Sequence, residues 1–145
     1  MDAAAPERAA MRELAERRFA EQGFMLAIGA ELGRVEDGEV QILLPRSERV
    51  LQGQGYFHGG AIGALVDAAG GGAAATRFDE GSVLLAVEYK VNFLAPAVGE
   101  HLEAVGTLLK AGRTLSVSRV DVYAHSGGRR TLVAAGQQTA IRVDA

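Results

Sequence analysis

The segment from His58 to Asp67 holds the residues whose types and spacing are best suited to chemistry. Asp67 is the only ionisable side chain between His58 and Arg77, in a run made mostly of glycine, alanine and aliphatic residues. Low local polarity disfavours the charged form of a carboxylic acid, so we expect the pKa of Asp67 to be raised toward the range of a useful base. Such a group can activate a water molecule or attack a carbonyl carbon itself.

A second chemical element is the start of the helix that this segment predicts, from His58 to about Phe78. The first backbone N–H groups of a helix have no intrahelical acceptor, and the helix dipole favours negative charge beside them. Gly59 and Gly60 carry no side chains and leave this end open to a ligand. One N–H directed at a developing oxyanion can lower a barrier by about 3 kcal/mol. For His58, a structural role at the helix start and a catalytic role both remain open.

These two elements lie too far apart to act on one carbonyl group within a single chain. Asp67 follows Gly59 by eight residues, which is about 12 Å along a helix. If two copies of the helix run antiparallel across a two-fold axis, the start of one helix faces the carboxylate of the other. We therefore expect a homodimer as the minimum functional unit, and a homotetramer built from two such dimers.

The rest of the chain predicts a short amphipathic N-terminal helix over residues 1–23 and one main domain over residues 24–145. In the main domain, two apolar stretches flank Asp37-Gly38, a strong hairpin signal, and Pro45 closes the second stretch. Four further runs after the helix have the apolar pattern or the turn punctuation of strands. The predicted strands cover residues 24–35, 39–44, 87–93, 102–109, 114–124 and 131–143.

The order of these elements predicts the fold class. There is no repeating β-α-β unit, so the fold is predicted to be α+β, with an antiparallel sheet enclosing one central helix that is apolar on every side except at Asp67. In the run from Thr114, the alternation of apolar and polar residues shifts by one position, which indicates a β-bulge near Ser118-Arg119.

Composition and charge exclude several classes of function. The 145 residues carry a net charge of −3 with both signs interspersed, which argues against a nucleic-acid partner. Cysteine is absent, so disulfides and thiolate metal sites are excluded and a reducing cytoplasm is the expected location. The charged N-terminus does not match a signal peptide, and no run is apolar enough for a membrane span. His58 and Asp67 have no further clustered ligands, so we expect no metal.

Several motifs resemble those of one known family. The string Gly55-Tyr56-Phe57-His58-Gly59-Gly60, with Leu65 and Asp67 at matching offsets, resembles the His-Gly-Gly-x4-Leu-x-Asp signature of the PaaI-type hotdog thioesterases. Residues 87–97 and 110–115 resemble the strand after the central helix and the basic hairpin of that family. The resemblance covers about residues 24–143. It implies a hotdog fold, an antiparallel sheet wrapped around a long helix, and hydrolysis of an acyl-coenzyme A (acyl-CoA) thioester without any further cofactor.

The resemblance also implies roles for individual residues. Gly59 would supply the oxyanion N–H, Asp67 would act as base or nucleophile, and His58 would shape the helix start. Gln52 occupies a position where many members have an asparagine that orients water or substrate. Further positions are expected to contact substrate. Gly60 and Ala86 would lie beside the reacting group. The coenzyme A phosphates would contact Lys110, Arg113 and, more weakly, Lys90.

Ala86 departs from the family pattern, because many members have Ser or Thr at that position near the acid. Gln52 can still donate and accept hydrogen bonds, whereas Ala86 cannot. Two other functions stay open at this stage. A hotdog hydratase or dehydratase would need a histidine and an acid converging on the substrate, and His58 is the one reasonable candidate. A non-catalytic acyl-CoA-binding module would carry an output domain, for which the 23 residues before Phe24 are too few.

Overall fold

The computed structural model describes residues 4–144, so residues 1–3 and 145 of the two predicted segments lie outside the described part. The boundary predicted between residues 23 and 24 stays a prediction. In chain order the elements are α1 (Ala5–Ala20), α2 (Gly23–Ala27), β1 (Glu31–Glu36), β2 (Glu39–Pro45), a short 3-10 helix (Glu48–Val50), α3 (Gly59–Ala75), β3 (Ser82–Phe93), β4 (His101–Ala111), β5 (Leu115–Ser126) and β6 (Arg129–Asp144).

The six strands form one antiparallel sheet in the order β1-β2-β4-β5-β6-β3. Helix α3 lies against one face of this sheet and contacts β2 through β6. The α+β architecture predicted from the order of elements is confirmed. The hairpin turn predicted at Asp37-Gly38 is present, and Gly38 has the positive φ of 76° that favours glycine. A second turn, with φ 55° at Gly127, joins β5 to β6.

The central helix approaches the sheet closely at Gly106 of β4. A Cβ atom added there would lie 2.1 Å from the carbonyl oxygen of Ala69 in α3. Only glycine permits this contact, because any side chain would force the helix away from the strand. The position fixes the middle of α3, where Asp67 lies, against the sheet.

Two element predictions are wrong in detail. Residues 24–35 do not form one strand: α2 ends at Ala27 and β1 begins at Glu31. A short apolar run does not distinguish helix from strand by periodicity, and here the helical turn buries Met25 while Gly29, with φ 81°, redirects the chain. Helix α3 ends at Ala75 and not near Phe78, because the amides of Arg77 and Phe78 bond the carbonyls three residues back, at Ala74 and Ala75, and so form turns in place of a further helical turn.

The predicted bulge near Ser118-Arg119 is also wrong. Burial alternates without interruption along β5, whose helix-facing side chains are Ser116, Ser118, Val120, Val122 and Ala124. Leu115 and Val117 are apolar but face away from the helix. Apolarity alone therefore assigned these two residues to the wrong face of β5. The change of register between β4 and β5 lies in β4, where Leu109 is the extra residue.

Strand β3 forms an edge of the sheet, with only β6 beside it. Its large apolar side chains are exposed in the single chain, with Val87 at 58% and Phe93 at 60%. A twelve-residue edge strand with this composition is a template for pairing with another strand. No helix within residues 4–144 combines the length and apolarity that a bilayer crossing requires.

The sheet face opposite α3 carries a buried ion cluster around Glu103. The carboxylate accepts hydrogen bonds from Arg130 at 3.0 and 3.1 Å and from Gln41 at 3.0 Å, and it lies 2.5 Å from the ring of His125. Burial by itself raises the pKa of Glu103, but these partners outweigh it and lower the pKa to about 2. The cluster links β2, β4, β5 and β6.

We expect Glu103→Gln to remove part of the acid sensitivity of the fold. A depressed carboxyl pKa stabilises the folded state above the unfolded value of 4.5, and this stabilisation is lost as the pH falls toward about 2. The contribution at neutral pH is at most about 3 kcal/mol. Denaturant unfolding between about pH 2 and pH 7 should give a flatter stability profile for the variant. Glu36→Gln, at an exposed carboxylate, serves as the control, and an equal flattening there would contradict the assignment.

Candidate active site

Asp67 lies in the middle of α3 on the face that the sheet does not cover. The sheet-facing residues of α3, including Ile62, Leu65 and Val66, are buried, whereas Asp67 is exposed in the single chain. Asp67 therefore lies on a side of α3 that the sheet of its own chain leaves uncovered. One side of α3 remains open because its residues there are small, and this opens the acid to the surrounding clefts.

Gln138 of β6 holds the Asp67 carboxylate in place. Its side-chain amide nitrogen donates to the Asp67 Oδ1 atom at 2.5 Å and to the Asp67 carbonyl oxygen at 3.0 Å. The Gln138 side chain is almost fully buried, with 2% of the residue exposed. A side chain confined in this way fixes the orientation of the carboxylate relative to the helix.

The environment raises the pKa of Asp67, as the sequence predicts. Removal of water by the surrounding apolar walls is the larger cause, and the hydrogen bond from Gln138 acts in the opposite direction by stabilising the charged form. Although one side of the carboxylate faces open space, its inner side is desolvated. The acid therefore has the character of a base poised closer to neutral pH than an ordinary aspartate.

We expect Gln138→Met to raise the pKa of Asp67 further. Methionine fills a similar volume but cannot donate, so the charged carboxylate loses its main stabilising partner. Titration of the Asp67 side-chain carbon by NMR should show the midpoint at higher pH in the variant than in the native protein. Gln137→Met, at the exposed neighbouring position, is the matched control and should leave the midpoint unchanged. A midpoint that falls or stays constant in Gln138→Met would contradict the role of this contact.

At the start of α3, one backbone amide remains free. The ring Nδ1 of His58 accepts from the Gly60 N–H at 2.7 Å, and the His58 carbonyl accepts from the Ala61 and Ile62 amides at 3.0 and 3.2 Å. Among residues 4–144, no acceptor takes the N–H of Gly59. The first turn of the helix therefore presents the Gly59 amide as its available donor. His58 has a structural role as the N-cap, which occupies its Nδ1 atom.

Two clefts meet at Asp67. The smaller has a volume of about 500 Å³ and runs along α3 from Gly60 past Ala64 to Asp67, with Phe24 and Tyr89 as walls. The larger, of about 710 Å³, continues from Asp67 between α1 and the second half of α3. Both volumes fall in the range of small-molecule sites. A ligand in these clefts would lie beside Asp67, and in the smaller cleft it would extend toward Gly60 at the start of α3.

The structure brings some of the predicted site residues together and leaves others apart. Ala86 lines the larger cleft with Asp67 and Gln138. Gln52 lines neither cleft, and its side-chain oxygen accepts from the backbone amide of Gln54. The three basic residues predicted to meet phosphates also line neither cleft of the single chain: Lys90, Lys110 and Arg113.

Sequence reasoning missed Gln138. The signal it offered was an amide side chain in line with Ala134, Gly136 and Ala140 on one face of β6. The alternation of faces along β6 was obscured by a register shift at Val133. Within the described residues, no three His, Asp or Glu side chains gather as metal ligands would.

Comparison with known proteins assigns the family. A profile of the thioesterase superfamily matches residues 54–131, which is more than half of the chain. The crystal structure of a thioesterase family protein from Silicibacter pomeroyi superposes with a TM-score of 0.90 at 31% identity, covering 93% of this chain and 99% of that one. The chain belongs to the thioesterase superfamily. It is a thioester hydrolase with the hotdog fold, as its motifs predict.

Other relatives widen the comparison. The medium/long-chain acyl-CoA thioesterase YigI of Escherichia coli (strain K12) is 29% identical over 115 residues, covering 69% of this chain and 74% of its own length. The 1,4-dihydroxy-2-naphthoyl-CoA hydrolase of Listeria monocytogenes is 27% identical over 100 residues, covering 69% of this chain and 81% of its own. The PaaI protein of E. coli shares the fold, with a TM-score of 0.81 at 18% identity and coverage of 93% and 94%.

Proposed function

We propose that this protein hydrolyses an acyl-CoA thioester to a free acid and coenzyme A. The observation that carries the proposal is the pairing, on one helix, of an acid with a raised pKa and a free amide at the helix start, Asp67 and Gly59. Asp67 lines both clefts, which are large enough for an acyl group, and Gly60, the neighbour of Gly59, lines the smaller one. The two relatives compared above are both named for coenzyme A thioesters, which favours the same thiol here.

In the proposed reaction, Asp67 either removes a proton from an attacking water or attacks the thioester carbonyl itself. Both routes place negative charge on the carbonyl oxygen, where the Gly59 N–H would donate a hydrogen bond. The C–S bond then breaks, and its electron pair leaves with the coenzyme A sulfur. In the water route this thiolate receives the proton that Asp67 took from water, and in the direct-attack route it takes a proton from the solvent. In the route through direct attack, water subsequently hydrolyses the acyl-aspartate intermediate.

The test of this function is release of free thiol from a panel of acyl-CoA esters, with straight-chain and aromatic acyl groups. Turnover of at least one ester well above the rate in buffer is the expected result. No thiol release from any member would refute the proposal. His58 is the N-cap of α3, and its Nδ1 atom accepts the Gly60 N–H, so this histidine has no free Nδ1 atom for the proton transfers of a hydratase.

We also propose that the site is shared between two subunits. The edge strand β3, with its exposed apolar side chains, offers a surface for antiparallel pairing with a second copy. Pairing across a two-fold axis would run the two α3 helices antiparallel, so that Gly59 of each copy approaches Asp67 of the other. The phosphates of coenzyme A bound at either site of the dimer would then contact Lys90, Lys110 and Arg113. A tetramer of two such dimers remains part of the proposal.

A subunit-mixing experiment tests the shared site. Two inactive variants, Asp67→Asn and Gly59→Pro, are mixed in equal amounts under conditions that exchange subunits. Half of the resulting dimers are hybrids, and each hybrid has one site with both native groups, so about a quarter of native activity should return. If both groups acted within one chain, mixing would restore nothing. Two preparations of the same variant, exchanged in the same way, are the control.

A further inference from the structure

The larger cleft lies between helices α1 and α3. Helix α1 lines the cleft on the side away from α3, and its lining residues include Met11, Leu14 and Phe19. Two arginines attach α1 to the body: Arg12 donates to the carbonyl of Gly33, and Arg18 donates to the carbonyls of Ala75 and Asp79 at 3.2 and 2.9 Å. The cleft therefore has a fixed roof that belongs to the same chain.

The floor of this cleft is a row of small residues on α3. Beyond Asp67, the helix turns Ala68, Gly71, Gly72 and Ala75 toward the cleft. Without large side chains, this row leaves a path along the helix surface. From Asp67 to Ala75, the path spans eight residues, or about 12 Å.

The walls of the cleft are mainly aliphatic. Leu32, Ile42 and Leu84 line it from the sheet, in addition to the α1 side chains. The charged residues along it are Asp67, beside the helix middle, and Arg18, Glu21 and Glu80 near α1 and the end of α3. Arg18 is held by backbone carbonyls, and Glu80 is paired with Arg17 at 2.8 Å. The middle of the path thus has no charged group to meet a hydrocarbon.

We propose that this cleft is a chain-length gauge that receives a straight, saturated acyl chain, with its reacting carbonyl at Asp67 and its end near Ala75. The inference rests on the proposed acyl-CoA thioesterase function and names its substrate class. A zigzag of C–C bonds of about 1.5 Å covers the 12 Å path with about nine or ten carbons. An aromatic acyl group would fill only the part nearest Asp67. The names of the relatives do not decide between these classes, since they include both an aliphatic and an aromatic ester.

The test measures kcat/KM for straight-chain acyl-CoA esters from about four to sixteen carbons, with phenylacetyl-CoA as the aromatic probe. Each CH2 group that enters an apolar site adds up to about fourfold to kcat/KM. We expect the value to rise with chain length, to level off near ten carbons, and to exceed the value for the aromatic ester. A maximum at four carbons, or a preference for the aromatic ester, would overturn the proposal.

The variant Ala75→Leu tests whether the path for the acyl chain ends at Ala75. The larger side chain shortens the path by about two carbons, so the plateau should move to shorter chains while the shortest ester keeps its native kcat/KM. Ala20→Leu is the matched control, because Ala20 is also the last residue of a helix but is exposed and lines neither cleft. An equal loss at every chain length in Ala75→Leu would overturn the inference.

Gly71→Ala provides a second variant with little risk to folding. An added Cβ meets its nearest atom, the Gln138 Oε1 atom, at 3.6 Å, which is ordinary contact, and alanine favours the helix. Its methyl group lies one turn beyond Asp67, so it should lower kcat/KM for long chains relative to the four-carbon ester. An unchanged ratio would count against the path. If the native protein releases no thiol from any ester, the proposed function itself fails, whereas turnover without these length effects refutes only the gauge.

Discussion

Replacement of Asp67 by asparagine should abolish most thioester hydrolysis while leaving the fold intact. Asparagine keeps the shape of the side chain and can still accept the hydrogen bond from Gln138, but it can neither take a proton from water nor attack a carbonyl carbon. Loss of a positioned base costs about 10²-fold to 10⁴-fold in rate. Steady-state thiol release from the best ester measures this loss.

Stability distinguishes the loss of a catalytic group from a loss of structure. Because the pKa of Asp67 is raised, its charged form is disfavoured in the folded state, and this cost is present at pH values above the folded pKa. Asp67→Asn removes the charge, so the variant should be as stable as the native protein at neutral pH, or slightly more stable. Asp79→Asn, at an exposed aspartate that lines neither cleft, is the control for activity. Native turnover in Asp67→Asn would refute the catalytic assignment.

The second large effect is expected from Gly59→Pro. Gly59 is the first residue of α3, where proline fits the helical backbone, and the preceding His58 already has the extended conformation that a following proline requires, with φ −64° and ψ 139°. The substitution therefore removes one N–H group with little backbone strain. Loss of one oxyanion donor costs about 10²-fold to 10³-fold in kcat.

Gly59→Ala is the matched control for this variant. Both substitutions add a Cβ atom, which would meet the Phe93 ring at 3.2 Å, but alanine keeps the N–H. The Phe93 side chain is 60% exposed and can move away. The alanine variant should retain most of the native kcat, and the proline variant should not. Equal losses in both would show that crowding at Phe93, and not the missing donor, is responsible.

The two variants test different parts of one site. In the proposed reaction, Asp67 acts in the chemical step through its side chain, and Gly59 acts through its backbone N–H. A thioesterase that kept its rate in Gly59→Pro and lost it in Asp67→Asn would use a different oxyanion donor. The opposite result would require a different base. Either outcome would leave the superfamily membership of the chain unaffected, since that rests on the fold and on the sequence match.

Much of this protein could be predicted from local sequence. The helix after His58, the glycines at its start and the Asp-Gly hairpin depend on residues close together in the chain, and the structure confirms them. The expectation of a raised pKa for Asp67 is confirmed for a related reason, because the residues around it in the helix are apolar. Local propensity and spacing were sufficient at these points.

Only the tertiary structure decided how the acid is held and what it faces. Gln138 follows Asp67 by 71 residues, so no local pattern could place its amide on the carboxylate. The larger cleft beside Asp67 depends on α1, which is distant from α3 in the chain and supplies one of its walls. The burial of Ser116 and Ser118 likewise depends on a distant segment, because α3 packs against β5. Contacts between distant segments form only when the sheet folds against the helix. The local spacing of residues along the chain therefore does not reveal them.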